Sequence, residues 1–386
     1  NDEFSEKVFD TFLENLDPFK RYFYASDIKE FSKYKYLIDD AFKSPNLDFF
    51  NLVYDTYKIR MLESEKIFTD ILSKPFDFTI DEVCECDFEQ FDYVQTKAQL
   101  KDRWRILLKI YMIENYHDEI EDDLRKSDKE IDYTPRNSSL IEKETRETLK
   151  ETMQQNYTFM SEEMQRSDWF SVYINSFVSQ YDPNTSYLDP ESKERFDVDM
   201  SGNYAGIGAR LQKKIDKVEI TEVISGGPAW RDNILEKGDA ILKVRQDNED
   251  EPVGILNMRL TEAVKLIKGK KGTKVHLTIK KVDGSISEVT VKRDIVLLEE
   301  TYIKSSIVEK DNNNFGIINI PKFYIDFDNQ SNRDAAKDLR SEIERLKEQS
   351  IKGLVIDLRN NGGGSLKTVV DMAGMFIKNG PVVQVK

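Results

Sequence analysis

The segment with the most distinctive chemistry lies near the end of the sequence, where the pattern of a buried strand runs into a glycine-rich turn. An apolar run from Leu354 to Leu358 is followed by Arg359, two asparagines and the glycines Gly362 to Gly364, after which a helical pattern begins. Backbone N–H groups in such a turn can approach an anion closely. They could bind a phosphate, or form an oxyanion hole that stabilises charge on a carbonyl oxygen. A tight turn without a function fits the same residues.

Local side chains do not complete a known catalytic motif at this turn. A dinucleotide fingerprint, G-x-G-x-x-G, has Lys367 where its third glycine should stand, and the Gly-Lys-Ser/Thr of a P-loop is absent. Ser365 and Lys367 are two positions apart at the start of a helical pattern, so their side chains diverge. The phosphate site is therefore a weak hypothesis, and the turn offers amide donors without an attacking group beside them.

A second glycine pattern precedes a predicted strand in the middle of the chain. Gly206 and Gly208 flank Ile207, and a strand pattern begins at Ala209. Glycines on both sides of an apolar residue allow successive N–H groups to point at one carboxylate. An open edge strand beside a helix can then accept a peptide by strand addition. An ordinary glycine bend is the alternative.

Composition excludes several classes of protein. Charged residues make up 33% of the 386 residues and the net charge is −15, which argues against a nucleic-acid partner. No apolar run is long enough to span a bilayer. Cys84 and Cys86 are too close in sequence for an easy disulfide and lack further metal ligands nearby, so we interpret them as incidental thiols. With only His117 and His276 in the chain, we expect no histidine-based metal site, no Ser-His-Asp triad and no cofactor.

The patterns around these motifs predict several domains. The first ~180 residues have helical periodicity and glycine is absent from residues 1 to 200, which predicts an all-α domain over residues 1–185. Its many aromatic residues are interpreted as core packing between helices. Two Asp-Pro steps then mark a boundary, with residues 186–200 as a linker or the start of a core domain.

A β-rich module is predicted over residues 201–296. It has one short helix, "RLTEAVKLIKG", with Thr261 as its N-cap and Leu260, Val264 and Ile267 on one stripe. It also has a hairpin that turns at Asp283-Gly284. Residues 297–386 then read as strand, helix, strand, a βαβ unit, in which "GLVIDLR" should be covered on both faces. Since "GPVVQVK" reads as a further strand and an α/β domain needs more than these ~90 residues, we expect an incomplete, truncated α/β core.

Several of these segments together resemble one family. "GNYAGIGARLQ", "VISGGPAWRDNILEKGDAILKV" and "RLTEAVKLIKGKKGTKVHLTI" resemble a PDZ domain of the carboxy-terminal processing proteases, peptidase family S41. "YDPNTSYLDPESKERF" and "GLVIDLRNNGGG" resemble neighbouring parts of the same family. "FLENLDPFKRYFYASDIKEF" is similar to the amino-terminal domain of its larger members, the tail-specific proteases. The resemblance covers nearly the whole chain.

The resemblance implies a serine peptidase with a Ser/Lys dyad, in which a lysine of lowered pKa is the general base and no histidine is needed. It implies that the glycine turn supplies the oxyanion-hole amide, from Gly364 first and Gly363 second. The serine and the lysine are expected beyond Lys386, so this 386-residue chain alone is expected to be inactive. Gly206, Ile207, Gly208 and Ala209 are expected to bind the free C-terminus of a protein substrate, with Val264 and Ile267 lining its apolar pocket.

The resemblance also implies the bacterial periplasm as the location, with a secretory leader upstream, and leaves open an adaptor protein as a further partner. Two other interpretations remain. A catalytically dead PDZ scaffold would bind peptides in the same way without hydrolysing them. A nucleotide-binding α/β protein would need a phosphate at Gly362 to Gly364.

Overall fold

The structure is a computed structural model that describes residues 1–42, 46–84, 87, 90–129, 133–214, 217–327 and 333–384. It divides into two compact units, Asn1–Asp189 and Pro190–Lys386. Cys86 lies outside the described residues, and the predicted domain boundaries stay predictions. No helix in the described ranges has both the length and the apolar character needed to cross a bilayer.

The first unit is helical, as its sequence pattern predicts. Its α-helices are α1 Asp2–Leu16, α2 Ala25–Phe31, α3 Asp48–Ile71, α4 Lys97–Lys129, α5 Ser138–Thr158 and α6 Arg166–Val178. A π-helical segment, Phe159–Glu163, continues α5, and the short 3-10 helices Ser32–Tyr34 and Asp39–Phe42 follow α2.

Aromatic side chains form the core of this unit. Tyr57 of α3 and Trp104 of α4 are almost completely buried. The ring of Tyr22 meets both of them edge to face, with centroids 5.2 Å from Tyr57 and 5.9 Å from Trp104. Burial of such large rings is the main stabilising contribution of this kind of helical core. The interpretation of the aromatic residues as core packing is therefore confirmed for these positions.

The second unit begins with α7, Pro190–Ser201, and continues into a β-rich module. Five strands form a sheet in the order β2-β3-β4-β6-β7, and β5 pairs with β4. Their bounds are β2 Ala209–Lys213, β3 Val218–Val223, β4 Ala240–Gln246, β5 Val253–Gly254, β6 Lys274–Lys280 and β7 Ile286–Lys292. The first and last strands of the module, β1 Asn203–Gly206 and β8 Asp294–Leu297, pair antiparallel with each other.

Two short helices, α8 Pro228–Arg231 and α9 Leu260–Ile267, complete the module. The predicted hairpin is confirmed: β6 and β7 pair in antiparallel register, and Gly284 at the turn has a φ of 89°. The prediction of Thr261 as the N-cap of α9 is wrong. The cap is Arg259, whose N–H donates to the Glu262 carboxylate at 3.3 Å, so Thr261 lies inside the helix.

A three-stranded sheet in the order β11-β10-β9 closes the unit, with α10 Ala335–Glu348 and α11 Leu366–Ala373. Strands β9 Lys304–Lys310 and β10 Asn313–Asn319 are antiparallel, whereas β10 and β11 Gly353–Asp357 are parallel.

Two expectations for this sheet are not met. Leu354 and Ile356 pack on the core, but Val355, which points to the other face of β11, is 54% exposed, because the described helices cover one face only. Within "GPVVQVK", residues 380–384 form no strand, since no described strand pairs with them.

Candidate active-site turn and peptide-binding loop

Asn361 holds the glycine turn that follows β11. Its side-chain N–H donates to the carbonyl of Ile320 at 2.9 Å, and its side-chain oxygen accepts the N–H of Gly363 at 2.7 Å. The side chain thus ties the turn to the chain that leaves β10. Sequence reasoning missed this role, although an asparagine directly before a glycine run is a signal for such a side-chain-to-backbone turn.

A glycine is required at Gly364. Its φ is +143°, and a Cβ at this position would lie 2.3 Å from the carbonyl oxygen of Phe323. The close approach comes from a parallel bridge in which the N–H of Phe323 donates to Gly363 at 3.0 Å and the N–H of Ser365 donates to Phe323 at 2.9 Å. At Gly362 a Cβ would meet open space.

The same bonds decide which amides of the turn are available to a ligand. The N–H of Gly363 is bound to Asn361 and that of Ser365 is bound to Phe323. Gly364 is exposed, and its N–H has no hydrogen-bond partner in the described ranges. Of the two predicted donors, Gly364 therefore has an N–H that can bind an incoming anion, whereas the N–H of Gly363 is already occupied.

Ser365 has a structural role in this arrangement. Its side chain is 7% exposed, and its hydroxyl oxygen accepts the N–H of Thr368 at 3.3 Å as the N-cap of α11. Lys367 lies on the exposed side of the helix. The structure does not bring these two side chains together as a nucleophile and its base.

An ion pair fixes the charge state of the strand end beside the turn. Arg359 binds Asp357, with 2.6 Å between the guanidinium and carboxylate atoms, and this hydrogen bond lowers the pKa of Asp357 to about 2. Asp357 is therefore ionised at neutral pH and is not a general acid there.

Phe323 is itself held by a buried cluster that sequence reasoning did not identify. The next residue, Tyr324, is fully buried, donates its hydroxyl to Asp338 of α10, and meets the ring of Tyr302 edge to face at 5.0 Å. Burial raises the pKa of Tyr324, so the phenol stays protonated and keeps donating. Tyr302 donates to the carbonyl of Gly202 at 3.0 Å.

The segment that contains Phe323 also reaches α7. The N–H of Ile325 donates to the carbonyl of Met200 at 2.9 Å. Phe323 and Ile325, two positions apart, thus bond the glycine turn and the end of the helix that leads into the β-rich module. The only sequence signal for this role was the aromatic pair in "IPKFY".

In the β-rich module, the predicted loop presents two amides at the edge of the sheet. The carbonyls of Ile207 and Gly208 accept the N–H groups of Ala229 and Ile224, both at 2.9 Å. Their own N–H groups have no partner in the part of the chain that the structure describes. Gly208 has a φ of +81°, and a Cβ there would lie 3.0 Å from Gly227.

The other predicted binding residues divide into two groups. Gly206 ends β1, and Ala209 begins β2, which is an edge strand. Val264 of α9 is half-buried and outside the buried core of the module. Ile267, by contrast, is 3% exposed and packs in that core together with Ile207. The structure therefore brings the loop, β2 and α9 together, but places the Ile267 side chain in the core.

Comparison with known proteins agrees with this arrangement. Three family models match successive parts of the chain: Tail specific protease N-terminal domain over residues 1–191, PDZ domain over 196–280 and Peptidase family S41 over 314–386. A tail-specific protease of Haemophilus influenzae is 32% identical over 394 residues, covering 100% of this chain and 52% of its own length. A carboxy-terminal processing protease of Bacillus subtilis is 33% identical over 199 residues, covering 52% of this chain and 38% of its own length.

Among solved structures, the PDZ domain of a carboxy-terminal protease from Vibrio cholerae, in complex with a peptide, is 40% identical. That match covers 24% of this chain and 97% of the other, with a TM-score of 0.23. The chain spans about half the length of the Haemophilus relative and less of the Bacillus one. Because its helical, PDZ and peptidase parts match in succession, the chain belongs to the family of tail-specific, carboxy-terminal processing proteases.

Proposed function

We propose that this protein is a serine endopeptidase that recognises the free, apolar C-terminus of a protein substrate and then cleaves that substrate. One observation carries the proposal. Gly364 is exposed and its N–H has no partner among the described residues, in a turn fixed by Asn361 and Phe323, within the part that matches a peptidase family. A rigid amide of this kind stabilises the oxyanion of the tetrahedral intermediate without having to reorganise.

In this proposal the attacking serine and its lysine base lie outside residues 1–386. A lysine with a lowered pKa removes the proton of the serine, so the reaction needs no histidine as its base. This agrees with the presence of only two histidines in the chain. Ser365 is not the nucleophile, because its hydroxyl already caps α11. The 386-residue chain by itself is therefore expected to bind peptides without hydrolysing them, as the scaffold alternative would.

Substrate recognition is assigned to the β-rich module. The amides of Ile207 and Gly208 would hold the terminal carboxylate, and the peptide would add as a strand beside β2, with Val264 against its apolar side chains. The proposal also places the protein in the bacterial periplasm, and an adaptor that delivers substrates is compatible with it. Fractionation of cells that express the tagged protein would test the location.

The catalytic part is tested by substitution in the full-length protein. Gly364→Ala should lower turnover of an unfolded protein substrate by on the order of 10²–10³, the usual effect of losing one oxyanion donor. Gly362→Ala is the matched control, because a Cβ there meets nothing and φ is ordinary, so its turnover should stay near that of the parent.

Binding of a C-terminal peptide and the thermal unfolding curve are measured on both variants. A Gly364→Ala protein that remains folded and binds peptide but turns over substrate at the parent rate would overturn the proposal. The turn would then be only a structural connection.

A further inference from the structure

A cavity of about 280 Å³ lies between α3, α4 and α5 of the first unit. Its walls are apolar and include Phe68, Trp104 and the methionines Met61, Met153 and Met160. Asn156 and Thr152 are exposed and mark its mouth. Because a cavity of ~150 Å³ can hold benzene, this one has room for an apolar body of roughly ten heavy atoms.

Ser64 lies in the wall of this cavity and has a buried hydroxyl that is not used in a hydrogen bond among the described residues. It is 1% exposed. Neighbouring helical hydroxyls donate to the carbonyl four residues earlier, as Thr152 does to Thr148 at 3.0 Å and Ser161 does to Tyr157 at 2.7 Å. A buried hydroxyl without such a bond is unfavourable, and a hydrogen bond to a ligand in the cavity would remove that cost.

Arg21 places a positive charge on the same cavity. Its guanidinium lies 4.9 Å from the ring centroid of Trp104 and 5.3 Å from that of Tyr22, and it makes no ion pair within the described ranges. Asp17 interacts electrostatically with Arg21, but its carboxylate accepts the backbone N–H groups of Arg21, Tyr22 and Phe23 at 2.7, 2.9 and 3.0 Å. The guanidinium is thus positioned by aromatic stacking and still lacks a carboxylate of its own.

The backbone at one side of the cavity is also unusual. The π-helical segment Phe159–Glu163 ends with the N–H of Met164 bonded to the carbonyl of Phe159 at 2.9 Å. This wider winding carries Met160 into the lining. Short π-helical segments are frequent at functional sites, and methionine side chains adapt to ligands of irregular shape.

We infer that this cavity is a binding site for an apolar monocarboxylate of the medium-chain fatty-acid class. The aliphatic chain lies between the methionines and the ring of Trp104. Arg21 supplies the charge that pairs with the carboxylate, and Ser64 supplies a second donor. This site lies in a different unit from the active-site turn and does not depend on the proposed peptidase activity.

The test titrates sodium decanoate into the 386-residue chain labelled with ¹³C at its methionine methyl groups. Decanoate should saturate one site and shift the methyl signals of Met61, Met153 and Met160, assigned by single Met→Leu variants. Decanol, which has the same chain without the charge, should bind at least tenfold more weakly.

Two variants and a control make the result specific. Arg21→Gln should weaken decanoate binding on the order of 10–100-fold, and Ser64→Ala by about tenfold, as expected for a charged and a neutral hydrogen bond. Ser171→Ala is the control, because that hydroxyl is already bonded to Ser167 at 3.0 Å on α6, and it should leave binding unchanged. Ser64→Ala keeps the test valid if Arg21→Gln does not fold.

Three outcomes would overturn the inference: no methyl shift at millimolar decanoate, equal affinity for decanol, or binding that neither variant changes. An N-acetylated tripeptide ending in leucine separates the two sources of such a carboxylate. Its amide groups would lie against the methionine side chains and the ring of Trp104, so it should bind more weakly than decanoate. Tighter binding of the tripeptide would overturn the assignment to a fatty acid.

Discussion

Gly364 and Gly208 need to be glycine for the same reason. Each has a positive φ, +143° and +81°, and each lies against another stretch of backbone, so that a Cβ would approach Phe323 or Gly227. In both places the close approach leaves an N–H directed away from its neighbours and without a partner in the described ranges. Recognition and chemistry are thus both assigned to the main chain.

The first prediction at this scale concerns peptide recognition. A peptide ending in Ala-Ala with a free carboxylate should bind the 386-residue chain at least tenfold more tightly than its C-terminal amide, because charge-assisted bonds to the Ile207 and Gly208 amides are lost in the amide. Gly208→Ala should abolish the difference, since its φ of +81° disfavours a side chain. Gly254→Ala, in open space, is the control. Calorimetric titration that finds equal affinities for acid and amide would refute carboxylate recognition.

The second prediction concerns Ser365. Ser365→Ala in the 386-residue chain should lower the stability by about 1 kcal/mol, because the N-cap of α11 is lost. Ser365→Asn should restore most of it, since asparagine caps equally well. Urea unfolding measures both. Peptide hydrolysis should be absent from the parent and from both variants, and a steady activity that Ser365→Ala removes would show that this serine is a nucleophile after all.

Sequence alone indicated the Gly362–Gly364 turn and the family, and the resemblance ranked Gly364 before Gly363 as the expected donor without a physical reason for the choice. That choice depends on Asn361, whose side chain occupies the Gly363 amide, and on the Phe323 bridge, which joins residues about 40 positions apart. In the same way the periodicity placed Val264 and Ile267 on one stripe, whereas in the structure Ile267 is buried in the core and Val264 lies outside it.

At the scale of elements, Arg293 fixes the position of α9. This arginine is 3% exposed and donates to the last carbonyls of the helix, Ile267 at 2.8 Å and Leu266 at 2.9 Å. It also donates to Gln246 of β4 at 2.8 Å and to Lys274 of β6 at 3.1 Å. One side chain thus joins the C-terminus of α9, where a cation is favourable, to two strands of the sheet.

The prediction for this element is that Arg293→Met lowers the stability of the β-rich module by about 2–5 kcal/mol, because several buried carbonyls lose a charged donor. Peptide affinity should also fall, since α9 forms one wall of the proposed peptide-binding site. Arg245→Met is the control: its partner Glu288 is half exposed, and loss of such a pair costs about 0–1 kcal/mol. Chemical unfolding and calorimetry on both variants test this, and equal stabilities would contradict it.

Secondary-structure elements were predicted best where a single local sequence rule determines them. The β6–β7 hairpin followed from Asp283-Gly284 between two alternating runs. The cap of α9 was predicted wrongly: the N-cap is Arg259, whose N–H donates to Glu262, and Thr261 lies inside the first turn. The burial of β11 could not be read from its continuous apolar run, because which face a helix covers depends on chain segments distant in sequence.

At the scale of the whole molecule, the two units have separate hydrophobic cores. The core of the first is mainly aromatic and draws on every helix from α1 to α6. A unit with a complete core of its own is expected to fold as a cooperative element.

Residues 1–189 produced alone should therefore unfold in one cooperative thermal transition. Their buried tryptophans, Trp104 and Trp169, should emit at shorter wavelength than in urea. Residues 1–129 provide the comparison, because they lack α5 and α6 and hence Trp169 and Tyr173 of the core. They should show neither property. A broad, non-cooperative melt of residues 1–189 would mean that the unit needs the rest of the chain.

The bonding of the Phe323–Ile325 segment constrains its length. The N–H and the carbonyl of Phe323 both hydrogen-bond to the glycine turn. The ring of Tyr324 packs against Tyr302 in the buried cluster, and the N–H of Ile325 donates to the carbonyl of Met200. Since side chains alternate along an extended segment, one inserted or deleted residue would exchange these directions and turn the tyrosine ring towards Gly364. This stretch should therefore tolerate substitutions of similar shape but no change in residue number, unlike the exposed hairpin turn at Asp283-Gly284, where added residues would extend into solvent.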